Sequence, residues 1–295
     1  VKVLRVTKEE AGARADVLIA RIYDRFSRSS LEGLFRKNLV KIEGKPLKAG
    51  YKLKENDKLQ IDDSDIGKQP PMIELPIIYE DENVIVINKP AGVLTHSKGA
   101  FNDEASVATF IKPKLTDEFP DNNRAGIVHR LDRATSGVIV AAKNKDSLSF
   151  LQKQFSQRRT KKKYLAIVSG VPSENTARID VPIERNPKNP QSFRAGSNGK
   201  TAQTDYQLLK EFTRGGKQYS LIELNPKTGR THQLRVHMSY IGCPIVGDKV
   251  YKGEANEHMF LHAQQLEITL PGGIRKIFET PAPKYFNRFA GKIDE

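Results

Sequence analysis

Residues 126–144 read GIVHRLDRATSGVIVAAKN. The apolar run from Val138 to Ala142 is that of a buried strand, and Thr135, Ser136 and Gly137 supply a turn that launches it. One carboxylate, Asp132, stands before that turn among three basic groups, His129, Arg130 and Arg133. A lone acid fixed at the entrance to a rigid strand is a candidate reactive group, and neighbouring cations counter the burial that disfavours charge.

Around this stretch, strand-like segments predominate: IIYEDENVIVINKP from Ile77, KKYLAIVSG from Lys162, TDYQLLKEF from Thr204 and YSLIELNP from Tyr219. DSLSFLQKQFSQRR from Asp146 is helical, with Leu148, Leu151 and Phe155 on one face. The crossover helices of an all-parallel sheet are mostly missing. The expected fold class over residues 77–295 is therefore α+β, with a mixed, largely antiparallel sheet. Residues 62–76, DDSDIGKQPPMIELP, are polar and hold three prolines, which places a linker at 66–76.

The chain before it, residues 1–65, reads as a small α/β domain. Val17, Leu18, Ile22 and Phe26 fall at helical spacing, and Ser29 or Ser30 is expected to cap a second helix through Leu31, Leu34 and Phe35. VKIEG, a turn at Gly44-Lys45-Pro46 and KLQID then read as short half-buried strands.

The chain of 295 residues carries 49 Lys and Arg against 35 Asp and Glu, a net charge of +14, which points to a polyanionic partner. Neither a bilayer-length apolar run nor a basic-then-apolar leader appears, so the expectation is a soluble, cytoplasmic protein without a membrane partner. The single cysteine, Cys243, excludes an internal disulfide framework and a cysteine-based zinc cluster. Without a coiled-coil heptad or an apolar interface stripe, a monomer is expected.

Several chemistries are excluded by what the motifs lack. HRLD at His129 is one residue longer than the kinase H-R-D loop, and neither a glycine-rich phosphate loop nor D-F-G occurs. His232 and His237 in RTHQLRVH are five apart, on poorly matched faces of helix or strand, so no metal is expected. A glycosidase normally needs two carboxylates flanking its bond, and the strong segment supplies one. One carboxylate without a cofactor suits a transfer in which the leaving group never departs and is reattached at another atom.

HRLDRATSG at His129–Gly137, NKPAGVLTH at Asn88–His96, KKKYLAIVSG at Lys161–Gly170 and PKTGRTHQLRVHMSYIGCPIVGDKVY at Pro226–Tyr251 together resemble the RluA-type pseudouridine synthases. The resemblance covers nearly the whole chain; Ser97 stands where many relatives have proline. Residues 14–62 resemble an S-four-like RNA-binding domain through Arg14 to Leu18, SRS at Ser27 and IEGKP at Ile42, although Ala15-Asp16-Val17 replaces the usual Leu-Asp-Lys. Members with this domain modify large-subunit ribosomal RNA, so the resemblance implies ribosomal RNA as partner; transfer RNA, or a noncatalytic RNA-binding assembly factor, are the alternatives.

The family reaction breaks the N1-glycosidic bond of uridine, turns the uracil in place and bonds C5 to C1′, with no cofactor. The resemblance makes Asp132 the essential carboxylate, Arg230 its paired cation and Tyr164 the ring against the target base. A tyrosine with an ordinary pKa near ~10 is a poor base at neutral pH, so stacking is the firmer role. A uridine in structured RNA must be flipped out to reach a carboxylate. His129, Arg130 and Arg133 flank Asp132 as candidate RNA contacts, and the run QRRTKKKY offers Arg158, Arg159, Lys161 and Lys162 to phosphates. Arg28 and Lys37 are the corresponding candidates in residues 1–65.

Overall fold

The computed structural model describes residues 1–68, 70–97, 104–119 and 124–291. Gln69 of the expected linker, and residues 98–103, 120–123 and 292–295 of the expected catalytic domain, lie outside them. The chain divides into two compact units, residues 1–73 with 96–109 and residues 74–95 with 110–295.

The first unit contains β1 (Lys2–Arg5), α1 (Ala15–Ile22), α2 (Glu32–Arg36), β2 (Val40–Ile42), β3 (Lys45–Pro46) and β4 (Lys58–Ile61). The strands form an antiparallel sheet in the order β1-β4-β2-β3. Leu18 and Ile19 of α1 and Leu34 and Phe35 of α2 close over Val40, Leu59 and Ile61. The expected Ser29 or Ser30 cap does not form. Ser30 instead closes a separate turn on Ser27, its Oγ donating to the Ser27 carbonyl at 2.7 Å, and α2 starts after Leu31 without a side-chain cap. Arg28 lies 3.6 Å from Asp16, which already accepts two hydrogen bonds from Arg14, and Lys37 is exposed at the end of α2.

The second unit is built on a nine-stranded sheet, in agreement with the expected mixed, largely antiparallel class. Its strands are β5 (Ile77–Glu80), β6 (Val84–Lys89), β7 (Ser136–Ala142), β8 (Lys161–Ser169), β9 (Thr176–Asp180), β12 (Gln203–Arg214), β13 (Lys217–Pro226), β14 (Leu261–Thr269) and β15 (Arg275–Glu279). They lie in the order β5-β6-β7-β14-β8-β13-β12-β9, with β15 paired to β14, and β7–β14 is the one parallel pair among the described residues. β10 (Ile183–Arg185) and β11 (Phe193–Ala195) form a separate hairpin. The helices of this unit are α4 (Lys145–Ser156), α5 (Gln233–Tyr240) and α6 (Lys284–Ala290), and the division between the units falls within α3 (Val107–Ile111).

The apolar runs explain the layering. Every residue of β7 is buried, and Val138 and Val140 pack with Val84, Val86, Leu151 of α4 and Leu266. On another part of the sheet, Leu234 and Met238 of α5 pack on Ala166, Val168, Ile222 and Leu224. α4 is capped by Asn144, whose side chain accepts the Ser147 N–H at 2.8 Å.

Register brings the sequence motifs together. Gly137 pairs with Ala263, Ala263 with Tyr164, and Tyr164 with Leu224, one line across β7, β14, β8 and β13. Gly137 has φ +117°, and a Cβ there would collide with the Ala263 carbonyl, so only glycine permits this approach. Its neighbour Ser136 donates from Oγ to His262 Nδ1 at 2.9 Å, because His262 Nε2 is committed to the Thr280 carbonyl at 3.2 Å. Burial holds that imidazole neutral, pushed down to about 4. The loop carrying Asp132 is thereby fixed two strands from Tyr164.

Candidate active site

Asp132 lies in the loop that enters β7, and the loop is pinned by its backbone. Thr95 Oγ1 donates to the Leu131 carbonyl at 2.8 Å and accepts the Leu131 N–H at 3.2 Å. The fully buried ammonium of Lys89, at the end of β6, donates to the carbonyls of Pro90, Val93 and Arg133 at 2.9, 2.8 and 3.2 Å. The Arg133 carbonyl also accepts from Gly92 N at 2.8 Å, and Thr135 N closes the turn on the Asp132 carbonyl at 3.1 Å. Burial pushes Lys89 down to about 7, with the Asp132 carboxylate opposing the shift and Arg133 adding to it. NKPAGVLT is thus the clamp on the acid-bearing loop.

The cation paired with Asp132 is Arg235, and the expected Arg230 pairing is corrected. Arg235 Nη1 lies 3.0 Å from Asp132 Oδ2, while its Nε and Nη2 bind the buried Asp248 at 2.7 and 2.8 Å. Burial works against the Arg235 charge, but Asp248 and Asp132 outweigh it and hold its pKa above the ordinary value. The guanidinium also sits 5.0 Å over the Tyr251 ring. Arg230 precedes α5, and its Nε donates to the Thr201 carbonyl at 3.0 Å. The physical reason for the difference is position: Arg235 projects from the buried face of α5, whereas Arg230 lies in the turn at the cleft wall.

α5 distributes its polar side chains in different directions. Gln233 Oε1 accepts from Thr228 Oγ1 and Arg230 N, and its Nε2 donates to the Gln203 carbonyl and Thr204 Oγ1. His237 Nε2 donates to the Val181 carbonyl, leaving Nδ1 to accept from Thr204 Oγ1. His232, at φ 57° before the helix, turns its ring toward Asp132, with Nε2 3.8 Å from Oδ2. The two histidines turn to different partners, His232 to Tyr251 and His237 to the Val181 carbonyl. Among the described residues, no group of three or more His, Cys, Asp or Glu converges on a common point.

Asp132, Tyr164, Arg230, His232 and Arg235 line one cleft of about 540 Å³, within the ~300–1,000 Å³ usual for small-molecule sites. Burial, and then the Asp132 carboxylate, push the Tyr164 phenol above its ordinary pKa, so its hydroxyl stays protonated. Strand alternation sorts the basic run. Lys162 and Tyr164 face the cleft, whereas Lys161 pairs with Glu267 at 3.2 Å and Lys163 with Glu223 at 3.0 Å. Burial pushes Lys162 down to about 8. Arg158 takes a left-handed φ of 56° after α4 and lines the cleft, and Arg159 is exposed beside it.

Arg130 and Arg133 are exposed on the Asp132 loop. His129 has a different place. Its Nε2 accepts the Val140 N–H at 3.1 Å and its ring stacks on Phe155 at 4.5 Å, and burial, then Lys162, push it down to about 3. This geometry serves to position the loop. Thr95, His232, Arg235, Asp248 and Tyr251 were not singled out as site residues; a charged arginine between Leu234 and Val236 on a helix was the available signal that Arg235 needs buried partners.

The mixed sheet thus presents one carboxylate, its arginine and a protonated tyrosine in a single cleft. Residues 83–240 match the RNA pseudouridylate synthase family, and the chain belongs to it. It is an RNA pseudouridine synthase, an isomerase; the noncatalytic assembly-factor alternative is not favoured. The chain is 38% identical to the ribosomal large subunit pseudouridine synthase D of Borreliella burgdorferi, over 95% of this chain and 89% of that one. It is 31% identical to the ribosomal large subunit pseudouridine synthase C of Vibrio parahaemolyticus, over 92% and 89%. Among solved structures, human RNA pseudouridylate synthase domain containing 1 superposes with a TM-score of 0.60 at 31% identity, covering 71% of this chain and 84% of that one.

Proposed function

We propose that this enzyme isomerises uridine in large-subunit ribosomal RNA, with Asp132 as the reacting carboxylate. The observation that carries the assignment is the pairing of Asp132 Oδ2 with Arg235 Nη1 at 3.0 Å in a cleft shared with Tyr164. The ribosomal substrate rests on the names of relatives that match over nearly the whole chain. Residues 1–65 act as an S-four-like RNA-binding domain, with Arg28 and Lys37 among its contacts. The enzyme works as a cytoplasmic monomer; among the described residues, no helix is long and apolar enough to cross a membrane.

Asp132 either attacks C1′ or removes the 2′-hydrogen, and in both routes the C1′–N1 bond breaks with its electron pair leaving on the uracil. The uracil turns against the Tyr164 ring and C5 bonds to C1′, displacing the Asp132 carboxylate in the first route and, in the second, adding to the glycal as Asp132 returns its proton to C2′; the C5 hydrogen then leaves as a proton and N1 ends protonated. Atoms and electrons balance within the nucleotide, so the chemistry calls for no redox partner. Because the Tyr164 phenol is held protonated, its ring is a stacking surface and its O–H a donor, rather than a resident base. Lys162, Arg158, Arg230, Arg130 and Arg133 hold the flipped nucleotide's phosphates.

Large-subunit ribosomal RNA from cells lacking the gene, complemented with the wild-type chain or with Asp132→Asn, tests the substrate. Carbodiimide primer extension should show pseudouridine stops with the wild-type chain only. Unchanged ribosomal RNA, with new stops in transfer RNA, would contradict the ribosomal assignment.

A further inference from the structure

His232 is not used by the reaction as derived so far, yet its ring is held on both sides. Tyr251 Oη accepts the Phe193 N–H at 3.0 Å and lies 2.7 Å from His232 Nδ1. Tyr251 is buried, and a buried hydroxyl needs an acceptor for its own proton. Of its two partners, a backbone N–H and an imidazole nitrogen, only Nδ1 can take that proton. Nδ1 is therefore unprotonated, and the ring proton sits on Nε2, the nitrogen that faces Asp132 Oδ2 at 3.8 Å. The ring orientation is fixed further by edge contacts to Phe193 and Tyr251 at 5.7 and 5.6 Å. Burial keeps the imidazole neutral: it lowers the pKa, Arg235 and Arg130 lower it further, and the Asp132 and Asp248 carboxylates oppose this without prevailing.

Arg235 and His232 thus address the same oxygen of Asp132. Among the described residues, no hydrogen bond reaches Oδ1. We propose that His232 is a positioning residue for the catalytic carboxylate: held as the Nε2–H tautomer by Tyr251, it closes on Asp132 Oδ2 beside Arg235 when RNA binds, so that Oδ1 is the oxygen presented to the ribose. The left-handed backbone of His232, φ 57°, is the local conformation that aims the ring back over the Asp132 loop. The separation of 3.8 Å is that of a donor poised before substrate arrives, since such contacts tighten in the bound complex. This inference rests on the proposed role of Asp132.

The test combines a spectrum with a rate. Long-range proton–nitrogen correlation spectra of the imidazoles, with His232 assigned by its loss in His232→Gln, read the tautomer without reference to activity. Single-turnover release of tritium from RNA labelled at uridine C5 is then measured for the wild type, Tyr251→Phe, His232→Gln and the double variant. The expected spectrum has Nδ1 unprotonated and Nε2 protonated in the wild type, and a mixture in Tyr251→Phe. Tyr251→Phe should slow the single-turnover rate on the order of 10-fold with RNA affinity unchanged, as expected for a lost hydrogen bond to a charged group.

Glutamine carries its donor where Nε2 stands and has no tautomer to fix. In the His232→Gln background, Tyr251→Phe should therefore change the rate by less than about twofold. A protonated Nδ1 in the wild type, or an equal loss from Tyr251→Phe in both backgrounds, would overturn the proposal. Wild-type protein that shows the Nε2–H tautomer yet releases no tritium from ribosomal RNA would instead remove the substrate reading on which the proposal rests, and the two failures are thereby told apart.

Discussion

The Lys89 ammonium donates to the Arg133 carbonyl at 3.2 Å, joining residues 44 apart in sequence. With the carbonyls of Pro90 and Val93 on the same ammonium, the contact ties the end of β6 to the loop that carries Asp132. A fully buried lysine is an expensive way to hold a loop, and its hold on the residue next to the acid is what gives it a function.

Lys89 should show itself in the pH dependence of stability. Its folded pKa is about 7, against ~10.4 for a free lysine, so between those values the unfolded chain holds a proton that the folded chain has released. Stability therefore rises with pH across that window, and the Lys89 contribution to the rise is absent below it. Urea unfolding of the wild type and Lys89→Met should differ in slope there. At pH 9, where the amine is neutral, Lys89→Met should cost ~1–3 kcal/mol because carbonyls lose their donor. Parallel curves would contradict the assignment.

The two arginines of GRTHQLR should separate cleanly. Arg235→Met strands Asp132 and the fully buried side chain of Asp248, with an expected loss of ~3–5 kcal/mol and of all activity. Arg235→Lys should not restore activity, because one ammonium cannot reproduce a fork that binds both carboxylates. Arg230→Ala should leave thermal unfolding within ~0.5 kcal/mol of the wild type. It should weaken RNA binding and reduce the salt slope by roughly 0.7–0.9. Calorimetry and filter binding across salt concentrations check both.

Tyr164 should be separable by ring and hydroxyl. Tyr164→Phe keeps the surface on which the uracil turns and should retain RNA affinity, whereas Tyr164→Ala should lose ~1–3 kcal/mol of stacking. Because the phenol works in its protonated form and its pKa is raised above the ordinary value, no ascending limb from Tyr164 should appear in the rate between pH 6 and ~9, whereas a Tyr164 base would give one. Equal affinity losses for Phe and Ala would remove the stacking role.

Lys162 should make RNA binding sensitive to mildly alkaline pH. Burial pushes its pKa down to about 8, so the free enzyme loses this phosphate-binding charge as pH rises through that value. Affinity should fall between pH 7 and ~9 in the wild type, and Lys162→Arg, charged throughout, should remove the fall. Binding isotherms at fixed ionic strength decide it.

Much of this was legible because strand alternation and turn chemistry are local. The buried run after Asp132, the helix at Asp146, the strand character of the segment from Ile77 and the sheet class were all readable from period and turn residues. Arg230 was assigned to Asp132 through the family resemblance, and the need of Arg235 for partners appears only when Asp248, thirteen residues on, is brought beneath it. Lys161 and Lys162 look alike in a basic run, and only the registers of β8 with β14 and β13 show which faces Glu267 and which the cleft. His129 accepting the Val140 N–H depends on how the loop folds back on β7 and α4, which no spacing announces.

The most direct test of the central claim is tritium release from large-subunit ribosomal RNA labelled at uridine C5, measured for the wild type and Asp132→Asn with RNA binding followed in parallel. Stoichiometric release by the wild type, and none by an Asp132→Asn protein that still binds the RNA, is the predicted result. Release by Asp132→Asn at the wild-type rate would contradict the assignment of Asp132 as the reacting carboxylate.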